Sequence, residues 1–335
     1  MGSEMNCLKE FVVLPVAAAT AGPVAREWML RTALLAFLLP LSLYSHAGGE
    51  PLPVTQGSPS GVGWTMLRFE ASRFGVSLTT TLDLGESSRR DMQARPYAAL
   101  GNDGFQQVPG KVMRLDIHAL AESALERYRT EGHVWFAAGS IAVLQRDRLK
   151  PGPGGSRKVY RYAEDGATRI RVEPDSRQQG KQPPIDWTRI KRSFYPYDLA
   201  TAGCDFVTSP ELLLYRASSR DPSNGGRPLC VFNDDALYRV WLVPGVETRP
   251  ISDYTVNAGG AVQKVGGSRR VLKLSLRVEP ISPGADPAVF ELLELRGAIV
   301  IYLDAGNGLP VLISGERAGV GELDIRLVEA NLREF

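Results

Sequence analysis

Apolar and polar residues alternate along much of this chain with a period of two, which is typical of β-strands. Residues 64–70 and 76–82 follow this pattern, and Gly75 between them favours a tight turn, so together they predict a β-hairpin. The same pattern predicts further strands over 112–120, 141–149, 157–162, 168–173, 229–232, 236–243, 270–279, 298–303, 309–313 and 322–328.

Turn and cap residues connect these predicted strands. The glycine-rich segment 151–155 and a turn at 164–166 join three of them into an antiparallel meander. Ser209 as N-cap and Pro210 as first helical residue predict one short helix over 211–216. The segment 304–308 predicts a hairpin turn, Gly266-Gly267-Ser268 another turn, and 175–184 a polar linker. Residues 121–129 fit either helix or strand. The chain is therefore predicted to be mostly β and mostly antiparallel.

The amino-terminal segment has the pattern of a secretory signal peptide. Residues 29–47 contain Arg31, the apolar core 34–41 and the small residues Ser45 and Ala47, which predict cleavage between Ala47 and Gly48. The apolar core is far shorter than the roughly 20 residues that span a bilayer. We expect a periplasmic protein with no transmembrane segment once the signal is removed.

The signal peptide also sets the predicted domain boundaries. We interpret residues 1–28 as a spurious extension from an upstream start codon, the alternative being an unusually long first part of the signal. Residues 48–63, rich in Pro, Gly and Ser, predict a flexible lead. Residues 64–335 are then expected to form a single antiparallel β domain.

Two cysteines follow the predicted cleavage site. Cys204 and Cys230 form a pair, and an oxidising periplasm favours a disulfide between them; the alternative is two separate buried thiols. The chain has 39 basic and 37 acidic residues and a formal net charge of +2. Such a small net charge, together with export, argues against a nucleic-acid partner.

Candidate catalytic and metal-binding residues are few. Only His118 and His133 follow the cleavage site, and no third ligand stands at metal-site spacing. We expect His118 in a strand and His133 in a loop. The carboxylates Asp198, Asp205 and Asp234-Asp235 could pair as in a glycosidase, but Asp234-Asp235 is most simply a turn. We therefore predict no catalytic residues, no cofactor and no metal, and leave the question of enzymatic activity open.

A set of arginines is the strongest binding signal. Pairs of arginines two residues apart or four residues apart lie on three predicted strands, so each pair projects to one side of the sheet. If the strands align, they form one cationic patch for anionic lipid headgroups, lipopolysaccharide phosphates or an acidic glycan; the alternative is the solvated face of a sheet. The patch comprises Arg146, Arg148, Arg157, Arg161, Arg169 and Arg171.

Two groups of residues resemble known proteins. Residues 298–331 run as a strand, the turn 304–308, Leu309-Pro310-Val311 and a last alternating strand. Glu122-Ser123, Trp135-Phe136, Leu144-Gln145-Arg146, the segment 158–162 and Gly166 follow a similar order. Both resemble uncharacterised exported proteobacterial proteins, similar to the half-barrel of lipoprotein carriers (LolA/LolB-like). The resemblance implies a large curved antiparallel sheet with one or two short helices, and it implies no catalytic residues.

Three functions remain open at this point. The first is non-enzymatic binding of an apolar or acyl-bearing ligand in envelope biogenesis, with a lipid, a lipoprotein or an anionic envelope component as partner. The second is an exported hydrolase that acts on an envelope polymer or glycan. The third is a structural scaffold without a small ligand. An apolar groove would favour the first, and buried carboxylates with perturbed pKa values would favour the second.

Overall fold

Strands dominate the computed structural model, which describes residues 62–93, 111–124, 127–219 and 227–333. Its three short helices are α1 (Arg89–Gln93), α2 (Leu199–Ala202) and α3 (Leu212–Ser218). The strands are β1 (Trp64–Arg73), β2 (Val76–Ser87), β3 (Val112–Glu122), β4 (Arg127–Ala137), β5 (Val143–Lys150), β6 (Ser156–Tyr162), β7 (Gly166–Glu173), β8 (Arg189–Pro196), β9 (Val207–Thr208), β10 (Leu229–Asn233), β11 (Ala236–Ala258), β12 (Ala261–Pro280), β13 (Arg296–Asp304), β14 (Pro310–Arg317) and β15 (Gly321–Leu332). The prediction of a mostly β protein with a large curved sheet is confirmed.

The predicted amino-terminal segments cannot be compared with this fold. The extension 1–28, the signal peptide, its cleavage site at Ala47 and Gly48, and most of the lead lie outside the described residues. Within the described ranges, no helix combines the length and the apolar character needed to cross a membrane.

All of these strands belong to one sheet. Its order is β8-β7-β6-β5-β4-β3-β2-β1-β15-β14-β13-β12-β11-β10-β9. Neighbours pair in antiparallel fashion except β9 and β10, which are parallel. The predicted meander of three strands therefore extends to eight, from β1 to β8, and the last strand of the chain pairs with the first.

The carboxy-terminal strands close on themselves. Strand β11 pairs with β12 along nearly its whole length, and its far end turns back to pair in parallel with β15. Because β12, β13, β14 and β15 also pair in sequence, β11–β15 form a ring of hydrogen-bonded strands, which we call the closed ring. The Asn257 side chain holds the closure by donating to Glu329 at 3.1 Å and to Asn331 at 2.7 Å.

The core lies against one face of the sheet, which we call the inner face. Leu67, Leu82, Ile117 and Val134 of the meander are buried there in the same cluster as the leucines of α3. On the opposite, outer face, Trp187 packs with Ile170, Val172 and Leu149. The segment predicted as a polar linker thus leads into a cover over the outer face, and Gln179 anchors it by accepting from Trp187 Nε1 at 3.1 Å through its backbone carbonyl.

The predicted disulfide is confirmed. Cys204 and Cys230 are bonded with their Cα atoms 6.0 Å apart, within the usual range for such a bridge. It ties the segment after α2 to β10, which lies near the end of the sheet order.

Several local predictions were wrong. His133 lies inside β4 rather than in a loop; the segment 121–129, which fitted either helix or strand, has its described strand residues at the end of β3 (to Glu122) and the start of β4 (from Arg127). The Gly266-Gly267-Ser268 segment lies within β12, where β11 carries a bulge. Helix α3 begins at Leu212, and the Ser209 hydroxyl has no hydrogen-bond partner, so it does not cap the helix. The hairpin turn at 304–308 is confirmed, with Gly308 N–H donating to the Asp304 carbonyl at 2.7 Å.

Candidate functional site

The inner face changes its chemistry at strand β5. Two rows of directly paired residues cross the meander on this face, and in β2, β3 and β4 they carry mainly apolar side chains. From β5 to β8 the same rows become polar and basic. The first row is Leu82, Ile117, Gly132, Arg148, Lys158, Arg171 and Lys191; the second is Leu84, Leu115, Val134, Arg146, Tyr160, Arg169 and Ser193.

The basic part of the first row forms a line of like charges, which we call the cationic row: Arg148, Lys158, Arg171 and Lys191. Neighbouring strands lie about 4.8 Å apart, and like charges directly opposite each other are destabilising. Such an arrangement requires counter-ions, whether from the protein or from a ligand. The four strands that carry it, β5–β8, are called the open end here, because β8 pairs with β7 and with no other described strand.

The six predicted arginines do not form one patch. The register places Arg146, Arg148, Arg169 and Arg171 on the inner face, whereas Arg157 and Arg161 lie on the outer face, opposite Leu149 and Gln145. Arg157 donates to both carboxylate oxygens of Asp147, so its charge is balanced, and Arg161 is buried. On β6 the inner-face positions are held by Lys158 and Tyr160, and Lys191 on β8 adds a cation to the same face.

The sequence did contain a signal for this register. Lys150 and Ser156 close the hairpin between β5 and β6, so the loop is the five residues 151–155. In an antiparallel pair the residue numbers of opposing residues have a constant sum. Because Lys150 and Ser156 are both even-numbered, even-numbered residues of β5 lie opposite even-numbered residues of β6. A five-residue loop would have predicted Lys158 opposite Arg148.

The protein supplies one carboxylate to the middle of the row. Asp234, in the turn between β10 and β11, accepts from Lys158 Nζ at 3.1 and 3.2 Å and from the Tyr160 hydroxyl at 3.0 Å. Arg148 lies 4.0 Å from the same carboxylate. The prediction that Asp234-Asp235 forms a turn is confirmed for the backbone; the role of the Asp234 side chain as a counter-ion was missed.

The part of the cationic row on β7 and β8 has fewer carboxylates to balance its charge. Glu173 pairs with both Arg171 and Arg189, and Lys191 has no ion pair among the described residues. Arg169 in the second row lies over the Tyr195 ring, 4.9 Å from its centroid. The Nε atoms of Arg169 and Arg171 are buried without a hydrogen-bond acceptor. Donors are therefore in excess at this end of the sheet.

A second charged contact lies deeper on the inner face. Arg146, only 2% exposed, donates to Glu211 through Nε at 3.1 Å and through Nη2 at 2.5 Å. Glu211 precedes α3, so the pair fixes this helix against β5. Both residues line a cleft of about 40 Å³ together with Thr80, Thr130, Glu291 and Glu294.

The charged groups shift one another's proton affinities. Burial raises the pKa of Asp234, but Lys158, Arg146 and Arg148 outweigh it and hold that pKa well below its usual value. Burial likewise raises the pKa of Glu211, and Arg146 and Arg148 again outweigh it, so the net pKa is lowered. Burial lowers the pKa of Lys158, Asp234 opposes this, and Arg148 and Arg169 lower it further. Both carboxylates are therefore ionised at neutral pH.

The histidines lie on or beside the outer face. His133 Nδ1 is 2.5 Å from Asp116, which also accepts from Arg114 at 2.9 Å, while His118 lies in β3 as predicted and is exposed. Among the residues that the structure describes, no group of three His, Cys, Asp or Glu side chains is arranged to hold a metal ion. Asp198 caps α2 by accepting from Thr201 N–H at 3.1 Å, away from any contact with Asp234.

Strand β8 gives the open end an apolar margin. Its outward side chains include Ile190 and Phe194, which are half exposed, and Ile185 just before the strand is also exposed. Phe194 rests partly on Gly166, where an added Cβ would approach its ring to 2.4 Å. Arg189 and Lys191 point to the inner face of the same strand. Apolar and basic side chains thus reach the same edge of the sheet.

Comparisons with known proteins identify no family. No family model matches the chain, and no curated protein matches it. A structural search finds similarity to the crystal structure of a β-barrel-like protein of the domain of unknown function DUF1849 from Brucella abortus. The match covers 83% of this chain and 100% of that chain, with 7% sequence identity and a TM-score of 0.39. The similarity to lipoprotein carriers stays a prediction.

Proposed function

We propose that this protein is an exported, non-enzymatic binding protein of the cell envelope, and that its open end holds the phosphate headgroup of an acyl-bearing lipid. The observation that carries the proposal is the cationic row, in which Arg148, Lys158, Arg171 and Lys191 oppose one another on four adjacent strands. A surface rich in positive charge attracts anionic lipids with about 1 kcal/mol per basic residue.

The apolar margin supports a lipid rather than a soluble anion. Surfaces that lie on membranes combine basic residues with apolar side chains that enter the acyl boundary. Ile190 and Phe194 on β8, together with Ile185, offer such side chains beside Lys191 and Arg189. The lipid would contact the edge of the sheet with its chain and the row with its headgroup.

The cleft beside Arg146 offers less support for an acyl chain. The cleft beside Arg146 encloses about 40 Å³ and carries glutamates and arginines. Pockets that bury drug-sized ligands enclose about 300–1,000 Å³ and are mainly apolar. We therefore assign the acyl contact to the exposed edge rather than to this cleft.

The carboxylates favour binding over hydrolysis. A glycosidase needs one carboxylic acid whose pKa is raised so that it can protonate the leaving group. Glu211 and Asp234 have lowered pKa values, and each is engaged by lysine or arginine. They act as counter-ions, and this supports the non-enzymatic function.

Co-sedimentation with vesicles tests the lipid proposal. The protein should bind phosphatidylglycerol vesicles, should bind phosphatidylcholine vesicles at least tenfold more weakly, and should lose binding as salt rises. Lys191→Glu should weaken binding about tenfold or more, because it reverses an exposed charge of the row without breaking an ion pair. Lys264→Glu makes the same charge change on β12, where Lys264 pairs with Asp253, and should bind like the wild type. Equal binding to both lipids, or an equal loss in both variants, would contradict the proposal.

Export is the other part of the proposal. The signal-like segment 29–47 supports it, and so does the Cys204–Cys230 disulfide, because such bridges persist in oxidising compartments. Amino-terminal sequencing of the protein from a periplasmic extract should begin at Gly48. A chain found only in the cytoplasm with its amino terminus intact would contradict export.

A further inference from the structure

The Asp234 carboxylate occupies a small oxyanion cradle. Lys158 Nζ lies within 3.2 Å of both its oxygens, the Tyr160 hydroxyl donates to one of them at 3.0 Å, and Arg148 approaches to 4.0 Å. Two cations and a hydroxyl donor around one anion are the groups that recognise a phosphate oxygen. In this structure a side chain of the protein itself fills that position.

Asp234 is held less firmly than the residues around it. Its side chain is 48% exposed, whereas that of Lys158 is 22% exposed, so solvent reaches the carboxylate from outside the cradle. Its backbone has φ of 53°, in the left-handed region that L residues adopt at a cost. The hairpin turn that carries it has two residues between the paired Asn233 and Ala236, so movement of the side chain leaves the ladder of β10 and β11 intact.

The cationic row also has more cations than its carboxylates balance. Arg148 donates to Glu291 at 3.4 Å and Arg171 pairs with Glu173, which also binds Arg189, while Lys191 has no ion pair among the described residues. The buried Nε atoms of Arg169 and Arg171 have no acceptor. A phosphomonoester carries a charge of about −1.5 to −2 and three acceptor oxygens, against −1 for a carboxylate. A phosphomonoester is therefore better matched to this surface than Asp234 is.

We propose that Asp234 is a built-in competitor that occupies the phosphate subsite of the cationic row and is displaced by the phosphate group of the ligand. This inference rests on the proposed function, because it concerns the same row. The shared chemistry is a phosphate oxyanion, whether it belongs to a lipid headgroup or to a soluble phosphate. Displacement leaves the fold of the turn unchanged and exposes Lys158 and Tyr160 to the ligand.

The competition has a direct consequence for affinity. When a site is open for only a fraction of the time, the apparent dissociation constant rises by the inverse of that fraction. Asp234→Asn keeps the shape of the side chain and removes its charge, so the cradle loses its competing anion. We expect this variant to bind inorganic phosphate at least tenfold more tightly than the wild type.

Calorimetric titration with inorganic phosphate, at constant ionic strength and pH 7, tests this expectation. The matched control is Asp235→Asn, which removes the same charge from the neighbouring, exposed position in the turn. The control should bind phosphate as the wild type does, and Asp234→Asn combined with Lys158→Met should lose the gain. Equal affinities of Asp234→Asn and Asp235→Asn would overturn the inference.

Two further measurements separate the outcomes. The carboxyl carbon-13 NMR resonance of Asp234 in the wild type should shift when phosphatidic acid, a lipid with a phosphomonoester headgroup, is added and stay unchanged with phosphatidylcholine; an unchanged resonance with bound lipid would overturn the inference even if a variant failed to fold. Glycerol phosphate, which has the headgroup chemistry without the chain, should produce the same change if the source is soluble. Vesicle binding that depends on Lys191 but not on Asp234 would leave the proposed function standing and the competitor refuted.

Discussion

The closed ring and the open end differ in how completely their charged side chains are balanced by neighbouring groups. In the ring, the buried Asp304 accepts from Tyr254 at 3.1 Å and from Gly306 N–H at 2.8 Å, and Arg269 lies 3.4 Å away. At the open end, the cationic row has more cations than the neighbouring carboxylates balance. The ring surrounds its buried carboxylate with donors from its own strands, whereas the open end keeps a line of cations with fewer carboxylates beside it.

This difference follows from topology. A strand inside a ring has both edges paired, so its polar side chains find partners in neighbouring strands. The row at β8 ends where the sheet ends, and its outermost member, Lys191, meets solvent. We propose that buried pairs and the apolar core stabilise both regions, and that recognition resides in the exposed charges of the open end.

The largest expected effect concerns the buried pair that anchors the open end to α3. Glu211→Ala leaves Arg146 buried without a counter-ion and should lower the free energy of unfolding by about 3–5 kcal/mol. Urea denaturation measures this. The matched control is the double change Arg146→Met with Glu211→Leu, which removes both charges and should restore most of the stability. A loss below about 1 kcal/mol for Glu211→Ala would mean that the open end does not depend on its own pair.

A smaller effect is expected from the hydrogen bond between Tyr254 and Asp304 in the closed ring. Asp304→Ala removes the acceptor of the Tyr254 hydroxyl and should cost about 1–3 kcal/mol of unfolding free energy. Binding to phosphatidylglycerol vesicles by the folded variant should remain at the wild-type level, since the row is unaltered. Asp253→Ala, at an exposed position of β11 next to Tyr254, serves as control and should change stability little. Loss of vesicle binding in Asp304→Ala would refute the separation of stability from recognition.

The smallest effect is a dependence on acid. Because the pKa of Asp234 in the folded protein lies below its unfolded value of about 3.9, its ion pair stabilises the fold above that pH and is lost as pH falls through the folded pKa. The Tm of the wild type should therefore exceed that of Asp234→Asn most clearly near pH 6, and the difference should shrink below pH of about 4. A Tm difference that is constant with pH would contradict this assignment.

Local patterns predicted most of the strands, and long-range pairings decided the site. The alternation in 64–70 and 76–82 identified β1 and β2 because each buries one face. Strand β11 was predicted only as far as residue 243, because Pro244, Gly245 and Pro250 usually interrupt strands; here the long pairing with β12 overrides them. The return of β11 to β15 depends on residues some 70 positions apart and has no local signal.

The candidate site was predicted in part for the same reason. Alternation within each strand correctly placed Arg146 with Arg148, and Arg169 with Arg171, on one side, and the register then brings both pairs to the inner face. Assigning Arg157 and Arg161 to that face required the register between strands, which the loop 151–155 sets. Asp234 could not be linked to Lys158 from the sequence, since 76 residues separate them.

The pairing of the first strand with the last has a consequence for folding during synthesis. Strand β1 finds its second neighbour only when residues 321–332 are present, and the ring likewise needs β15 to close. Contacts between such distant segments make folding slow and late. A ribosome that has delivered everything but residues 321–332 therefore holds a chain whose sheet is incomplete. Without these residues β1 lacks its second neighbour and the ring of β11–β15 cannot close.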